Sequence, residues 1–217
     1  MKLFVDTGSI KEIEAVVALG IIDGVTTNPS LLAKESGDFR QNLKRICEIV
    51  NGPVSGEVTA TDTAGMLQQG HDIAKIHQHM VVKVPLTKDG IKACKALSGE
   101  GIRVNVTLCF SAAQALLAAK AGASFVSPFV GRLDDIATNG MELIRDIVEI
   151  FDNYEFATEV LVASCRHPIH IVEAARMGAD ICTCPPAVID QLFSHPLTNI
   201  GLEKFLKDWE KAQAVKA

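Results

Sequence analysis

Short apolar runs alternate with amphipathic stretches along the whole chain, the pattern of repeated strand–helix units that build a parallel sheet. Strands are predicted over 2–6, 23–26, 53–58, 81–84, 102–107, 124–127, 158–163 and 180–183. Between and after them the apolar spacing predicts helices over 9–19, 38–50, 62–78, 88–97, 111–121, 140–151, 168–177 and 187–193, with 131–139 a loop. A further helix starts at Pro29, where Asn28 has the chemistry of a cap. Eight strands, each followed by a helix, predict a closed α/β architecture, the (β/α)8 TIM barrel, which leaves no sheet edge. An open doubly wound sheet competes with it, but no G-x-G-x-x-G turn follows the first strand. One domain over 1–217 is expected, with an additional C-terminal amphipathic helix over 198–213. That helix carries Ile200, Leu202, Phe205, Leu206 and Trp209 between charges, and packs either on its own barrel or on a neighbouring subunit.

The polar positions within the strands change this picture from scaffold to site. In Val81-Val82-Lys83-Val84-Pro85, alternation sets Lys83 on the opposite face from Val82 and Val84. A desolvated lysine is a nucleophilic amine, able to form a Schiff base with a carbonyl substrate. A lysine at a strand end that reaches water or pairs with a carboxylate is the plainer alternative. The other strand ends weigh against it: Asp6, Asn28, Glu57, Thr107, Ser127, and then Ser164 and Arg166. Any one of these would pass for a turn former or cap. Together, on the inner parity of a barrel whose active sites lie at strand C-termini, they favour a catalytic site. Imine chemistry needs acid/base groups to shuttle protons, and Asp6 and Glu57 could divide that work, with Thr107 holding a water. Arg132, Ser164 and Arg166 form a cationic, hydrogen-bonding patch suited to a phosphate monoester. The competing role for either arginine is a surface ion pair, with Asp134 and Asp135 at hand beside Arg132.

Composition narrows the partners. With 217 residues and 48% hydrophobic side chains, the chain can bury a large core. The net charge of −5 offers no basic surface for nucleic acid or anionic lipid. Met1-Lys2 runs straight into the first strand rather than a signal peptide, and no stretch approaches a membrane span. The six cysteines lie in apolar elements without framework spacing, which suits reduced thiols in a cytoplasmic protein. Cys182-Thr183-Cys184 lacks a partner pair at metal-finger spacing.

These blocks are familiar as a set. The chain resembles the small bacterial-type transaldolases and the related fructose-6-phosphate aldolases through Gly24-Val25-Thr26-Thr27-Asn28-Pro29-Ser30, Val82-Lys83-Val84-Pro85, Gln114-Ala115-Leu116-Leu117-Ala118-Ala119, the run from Val126 to Asp135, and Val162-Ala163-Ser164 with Arg166. The resemblance implies Lys83 as Schiff-base lysine, Asp6 as acid/base, Glu57 acting with the catalytic water, and Thr107 holding that water. It implies Asn28 and Ser127 as partners of the dihydroxyacetone hydroxyls, and Arg132, Ser164 and Arg166 as the phosphate site. It further implies no metal and no organic cofactor, sugar-phosphate substrates, and a homo-oligomer, pentamer or decamer, assembled through the C-terminal helix.

Glu57 with Phe129 matches the transaldolase branch, whereas the aldolases carry glutamine and tyrosine there. The expected activity is therefore transfer of a dihydroxyacetone unit in the pentose phosphate pathway. The donor would be sedoheptulose 7-phosphate or fructose 6-phosphate, the acceptor glyceraldehyde 3-phosphate or erythrose 4-phosphate. Release of free dihydroxyacetone by a fructose-6-phosphate aldolase is the alternative. A catalytically silent sugar-phosphate binder is disfavoured by Lys83 with both carboxylates. A metal enzyme built on His77 and His79, or on His167 and His170, is disfavoured because the first pair precedes its strand. Cys165, between Ser164 and Arg166, and Cys109 depart mildly from the family pattern, and a thiol so near the site raises the question of oxidation.

Overall fold

The computed structural model describes residues 1–216, with side chains through residue 214, so Ala217 lies outside the described residues. Eight strands pair in parallel and in chain order: β1 (Lys2–Asp6), β2 (Gly24–Thr26), β3 (Val54–Glu57), β4 (Met80–Pro85), β5 (Val104–Cys109), β6 (Phe125–Pro128), β7 (Glu159–Val162) and β8 (Ile181–Cys184). β8 pairs back onto β1, with Phe4 opposite Thr183, and closes the barrel. The predicted architecture holds. Outside the strands run α1 (Ile10–Val17), α2 (Pro29–Leu32), α3 (Phe39–Val50), α4 (Thr63–Ala74), α5 (Lys88–Gly99), α6 (Ala112–Ala121), α7 (Val130–Asp134), α8 (Gly140–Asn153), α9 (Pro168–Met177), α10 (Pro186–Phe193) and α11 (Pro196–Lys216). Among the described residues no helix is long and apolar enough to cross a membrane.

Strand alternation divides the core in two. Val5, Val25, Val54, Val82, Val84, Val104, Val106, Val126 and Val160 face outward and pack with helix residues such as Leu43, Ile46, Leu97 and Ile147. A smaller cluster of Phe4, Val81, Phe125, Leu161 and Ile181 fills the barrel interior, with Phe4 and Phe125 edge to face at 6.4 Å. The remaining inward positions are polar and buried: Thr26, Ser55, Lys83, Asn105, Thr107, Ser127 and Thr183. Burying such groups is unfavourable unless each finds a partner, and most of them are hydrogen-bonded to one another or to backbone, so this half of the interior is a polar network rather than an apolar core.

Several boundaries differ from the pattern in the sequence. The helix expected over 62–78 stops at Ala74: Ile76 N bonds back to Ile73 O, tightening the last turn, and the His77 ring then accepts the His79 N–H at 3.2 Å as the chain enters β4. The loop expected over 131–139 begins with a helical turn, α7, in which Asp135 N donates to Gly131 O. β5 continues past Thr107 to Cys109 through a register shift, with Leu108 at φ +59°. Ala163, expected inside strand seven, makes only an isolated bridge to Phe129, and Cys165 beyond it lies outside any strand.

The C-terminal helix is longer than expected, Pro196–Lys216, and its apolar side chains stand away from the barrel. Trp209 is 64% exposed and Phe205 72%, with Ile200, Leu202 and Leu206 also exposed. Of the two packing arrangements the sequence allows, the barrel's own surface is therefore not the one used.

Candidate active site

Each of the side chains predicted at strand ends sits at the C-terminal mouth of the barrel, positioned by the same alternation that points the valines outward. Lys83 is 5% exposed; its Nζ lies 3.0 Å from Glu57 Oε2 and donates to Thr27 O at 3.1 Å. The β3–β4 register places Glu57 directly opposite Lys83. The lysine thus does pair with a carboxylate, but inside the barrel rather than at its surface.

Asp6 shares the cavity with Lys83. Its Oδ1 accepts from Thr26 Oγ1 at 2.7 Å, and Thr26 Oγ1 lies 2.7 Å from Thr183 Oγ1. A hydroxyl has one proton, so with Thr26 donating to Asp6, Thr183 donates to Thr26. Burial raises the Asp6 pKa above the ordinary carboxylate value, opposed by the Thr26 hydrogen bond and the Lys83 charge. A carboxylate in that state is suited to exchange protons with a substrate hydroxyl.

Across the barrel, Ser127 Oγ donates to Asn105 Oδ1 at 2.7 Å, and Asn105 Nδ2 donates to Ser55 Oγ at 3.2 Å. This chain fixes the Ser127 hydroxyl and leaves its lone pairs to accept from a ligand. Asn28 caps α2 by accepting from Leu31 N at 2.9 Å, while its amide Nδ2 finds no protein partner among the described residues. The capping role and a ligand role therefore use different atoms of one side chain. Thr107 Oγ1 is buried and likewise has no hydrogen-bond partner among the described residues, as suits a group that holds a small polar ligand such as water.

The cationic patch closes one side. Arg132 stacks over Phe129, 5.3 Å from the ring centroid, and Phe129 meets Phe110 edge to face at 5.8 Å. It is Arg166, not Arg132, that pairs with Asp135: both terminal guanidinium nitrogens engage it, Nη1 with Oδ1 and Nη2 with Oδ2, the latter at 2.7 Å. Each holds the other charged, so the Asp135 pKa lies below and the Arg166 pKa above its usual value. Ser164 takes a left-handed φ of +59°, sparsely populated for a non-glycine residue. Gly131 fits against its carbonyl, and a Cβ there would meet Ser164 O and lie 2.6 Å from Arg166 Nε.

Asp6, Asn28, Lys83, Thr107, Ser127, Phe129, Arg132, Ser164 and Arg166 together line a cavity of about 250 Å3. That is compact and polar, the size for a small metabolite rather than a nucleotide coenzyme. Glu57 lines instead a neighbouring groove of about 690 Å3 with Leu32, Phe39, Arg40 and Gln69. Among the described residues, the larger space has no lysine or cysteine in its lining, whereas the smaller one holds Lys83, which Glu57 contacts from the groove side. Thr26, Thr183 and Ser55 belong to this assembly without having been singled out in the sequence. The signal was present: each lies on the inner parity of its strand, as Asp6 and Lys83 do.

Neither cysteine near the site is set up to react. Cys165 is buried, with its Sγ 3.2 Å from Cys182 Sγ, and that contact together with burial pushes its pKa well above the usual thiol value. Burial pushes Cys109 up to about 11.

Comparison with known proteins agrees with the geometry. The family model described as transaldolase/fructose-6-phosphate aldolase matches residues 3–216. A probable transaldolase of Caldicellulosiruptor saccharolyticus is 59% identical over 97% of this chain and 98% of its own length. One from Anaeromyxobacter sp. (strain K) is 60% identical, covering 97% of each. Another from Methanococcus maripaludis is 58% identical over 97% of this chain and 98% of its own. Among solved structures, one described as native KDPGal superposes with a TM-score of 0.62 at 14% identity, covering 85% of this chain and 82% of that one, a likeness of fold alone. A cube-shaped cage designed by fusing symmetric oligomeric domains gives 0.64, also at 14%, over 100% of this chain and 80% of that one. With more than half its residues shared along almost the full length of such relatives, and a family model running from residue 3 to residue 216, the chain belongs to the transaldolase/fructose-6-phosphate aldolase family.

Proposed function

We propose that this chain is a transaldolase that works through an imine on Lys83. The observation that carries the reading is a buried lysine, backed by Glu57, that opens into one cavity with a second, separately held carboxylate, Asp6, and an arginine pair. A ketose phosphate, fructose 6-phosphate or sedoheptulose 7-phosphate, enters with its phosphate at Arg132, Ser164 and Arg166. Glu57 accepts a proton from the Lys83 ammonium, and the freed amine adds to the C2 carbonyl. Loss of water from the carbinolamine, protonated by Glu57 through a water on Thr107, gives the imine. Asp6 then takes the C4 hydroxyl proton, the C3–C4 bond breaks, and its electrons pass into the imine to form an enamine. The aldose phosphate leaves. The enamine carbon attacks the carbonyl of a second aldose phosphate, whose new alkoxide takes the proton back from Asp6. Water finally returns to C2 and releases the new ketose from Lys83. Asn28 and Ser127 hold the hydroxyls of the three-carbon unit while the aldoses exchange.

Incubation with fructose 6-phosphate, with and without erythrose 4-phosphate, tests this reading. Sedoheptulose 7-phosphate formed only with the acceptor, and little free dihydroxyacetone without it, is the expected result. Dihydroxyacetone released without acceptor at a rate near that of transfer would make the chain a fructose-6-phosphate aldolase instead.

Phe129 bears on that distinction. Its ring lines the cavity beside Arg132, and no hydroxyl stands there to direct water at the imine. Phe129→Tyr should raise release of free dihydroxyacetone about tenfold relative to transfer, the effect of one hydrogen bond gained in the hydrolytic step. Product ratios by chromatography read this directly, and an unchanged ratio removes Phe129 from the explanation.

The exposed apolar face of α11 supports assembly with further copies of the chain, and the six free cysteines suit a reducing cytoplasm.

A further inference from the structure

Behind the arginine patch lies a second set of polar side chains that the proposed chemistry leaves unused. His170, on α9, has a side chain only 5% exposed. Its Nδ1 accepts a hydrogen bond from the backbone N–H of Arg166 at 3.2 Å. An acceptor nitrogen carries no proton, so the neutral ring has its hydrogen on Nε2. Nε2 lies 2.9 Å from Asp134 Oδ2, which accepts that hydrogen. The other Asp134 oxygen accepts from Gly140 N at 2.9 Å, at the start of α8. His167 packs its ring on His170, centroids 3.8 Å apart. Burial, and then the nearby His167, keep the His170 pKa below the usual imidazole value, against the pull of Asp134.

Asp134, His167 and His170 are close enough together to suggest a metal. However, both nitrogens of His170 are already engaged, and Arg166 stands beside them as a competing cation. The arrangement serves the arginine instead. Its backbone is tied through His170 to Asp134, and its guanidinium is held by the next residue, Asp135. Arg166 is thereby fixed at both ends by consecutive carboxylates at the C-terminal end of α7, the same turn that carries Arg132.

We propose that His170 is a positioning residue, a neutral imidazole that ties the Arg166 backbone to Asp134 so that the guanidinium meets a substrate phosphate at a set place. This rests on the reading of Arg166 as a phosphate ligand. It goes beyond that reading by assigning phosphate selectivity to a side chain that touches no substrate.

The test compares D-glyceraldehyde 3-phosphate with D-glyceraldehyde as acceptors at saturating sedoheptulose 7-phosphate, so that the products differ from the reactants. The wild-type chain should prefer the phosphorylated acceptor in kcat/KM; no preference would remove the phosphate reading and this proposal with it. In His170→Phe the preference should fall about tenfold, through KM for the phosphorylated acceptor, with little change for D-glyceraldehyde. In His170→Asn, whose Oδ1 can accept from Arg166 N, most of the preference should return. An equal fall for both acceptors, or no difference between the two variants, would show a general structural role and overturn the proposal. A direct readout needs no variant: nitrogen NMR of the histidine-labelled wild-type chain at neutral pH should show His170 protonated on Nε2 alone. A proton on Nδ1 contradicts the assignment.

Discussion

Lys83→Met should abolish turnover while leaving the barrel folded. Methionine is similar in length and unbranched, and it fills a site flanked by outward-facing Val82 and Val84 without the amine. Loss of a covalent nucleophile lowers kcat by on the order of 10^4-fold or more, because no neighbouring group can form the imine in its place. The cost in stability is smaller. Removing one member of a buried pair leaves the other charge uncompensated, but Glu57 also lines an open groove and can be hydrated from that side. Steady-state assay beside circular dichroism separates the two effects. A folded Lys83→Met protein with near-normal activity would remove the lysine from the mechanism.

Asp6→Asn has the second largest expected effect, and here activity and stability move in opposite directions. Loss of the general base for the C4 hydroxyl lowers kcat by roughly 10^2- to 10^4-fold. Stability rises at neutral pH. Burial raises the folded-state pKa of Asp6 above its unfolded value, so ionisation is less favourable in the folded chain. For a raised pKa, the contribution to stability is fully present below the unfolded value, about 4, and is lost as pH rises through the folded value. The wild-type chain therefore carries this penalty at pH 7 and not at pH 3, and asparagine never carries it. Thermal melts should show Asp6→Asn the more stable protein at pH 7, with the difference shrinking on acidification. A less stable variant at pH 7 would mean that attraction to Lys83 outweighs desolvation, the reverse of the balance described here. In the proposed mechanism, the burial that suits Asp6 to proton transfer is the same burial that costs the folded chain stability at neutral pH.

Much of this site could be read from alternation alone. Lys83 between two valines, Asp6 after Val5, and the polar pair Asn105 and Thr107 within one strand all declare an inward parity, and the barrel places them at one mouth. Thr26 and Thr183 obey the same rule, but threonine is common in strands for its shape, so nothing in the sequence marks them as partners of Asp6. Arg132 stands beside Asp134 and Asp135 in sequence, yet Asp135 pairs with Arg166, 31 positions away. Chain proximity is a poor guide where two βα loops fold against each other. The turn α7 was hidden by Gly131, which reads as a helix breaker and is needed for close approach to Ser164 and Arg166. The end of α4 is a tightened last turn, Ile76 N to Ile73 O, followed by a side-chain-to-backbone bond at His77, neither of which apolar periodicity reports.

The most direct measurement is borohydride reduction of the wild-type protein in the presence of fructose 6-phosphate, followed by peptide mass spectrometry. A reduced three-carbon adduct on Lys83, absent when the sugar is omitted, is the expected result. No adduct, or an adduct on a different lysine, contradicts the imine on Lys83 on which the proposed mechanism depends.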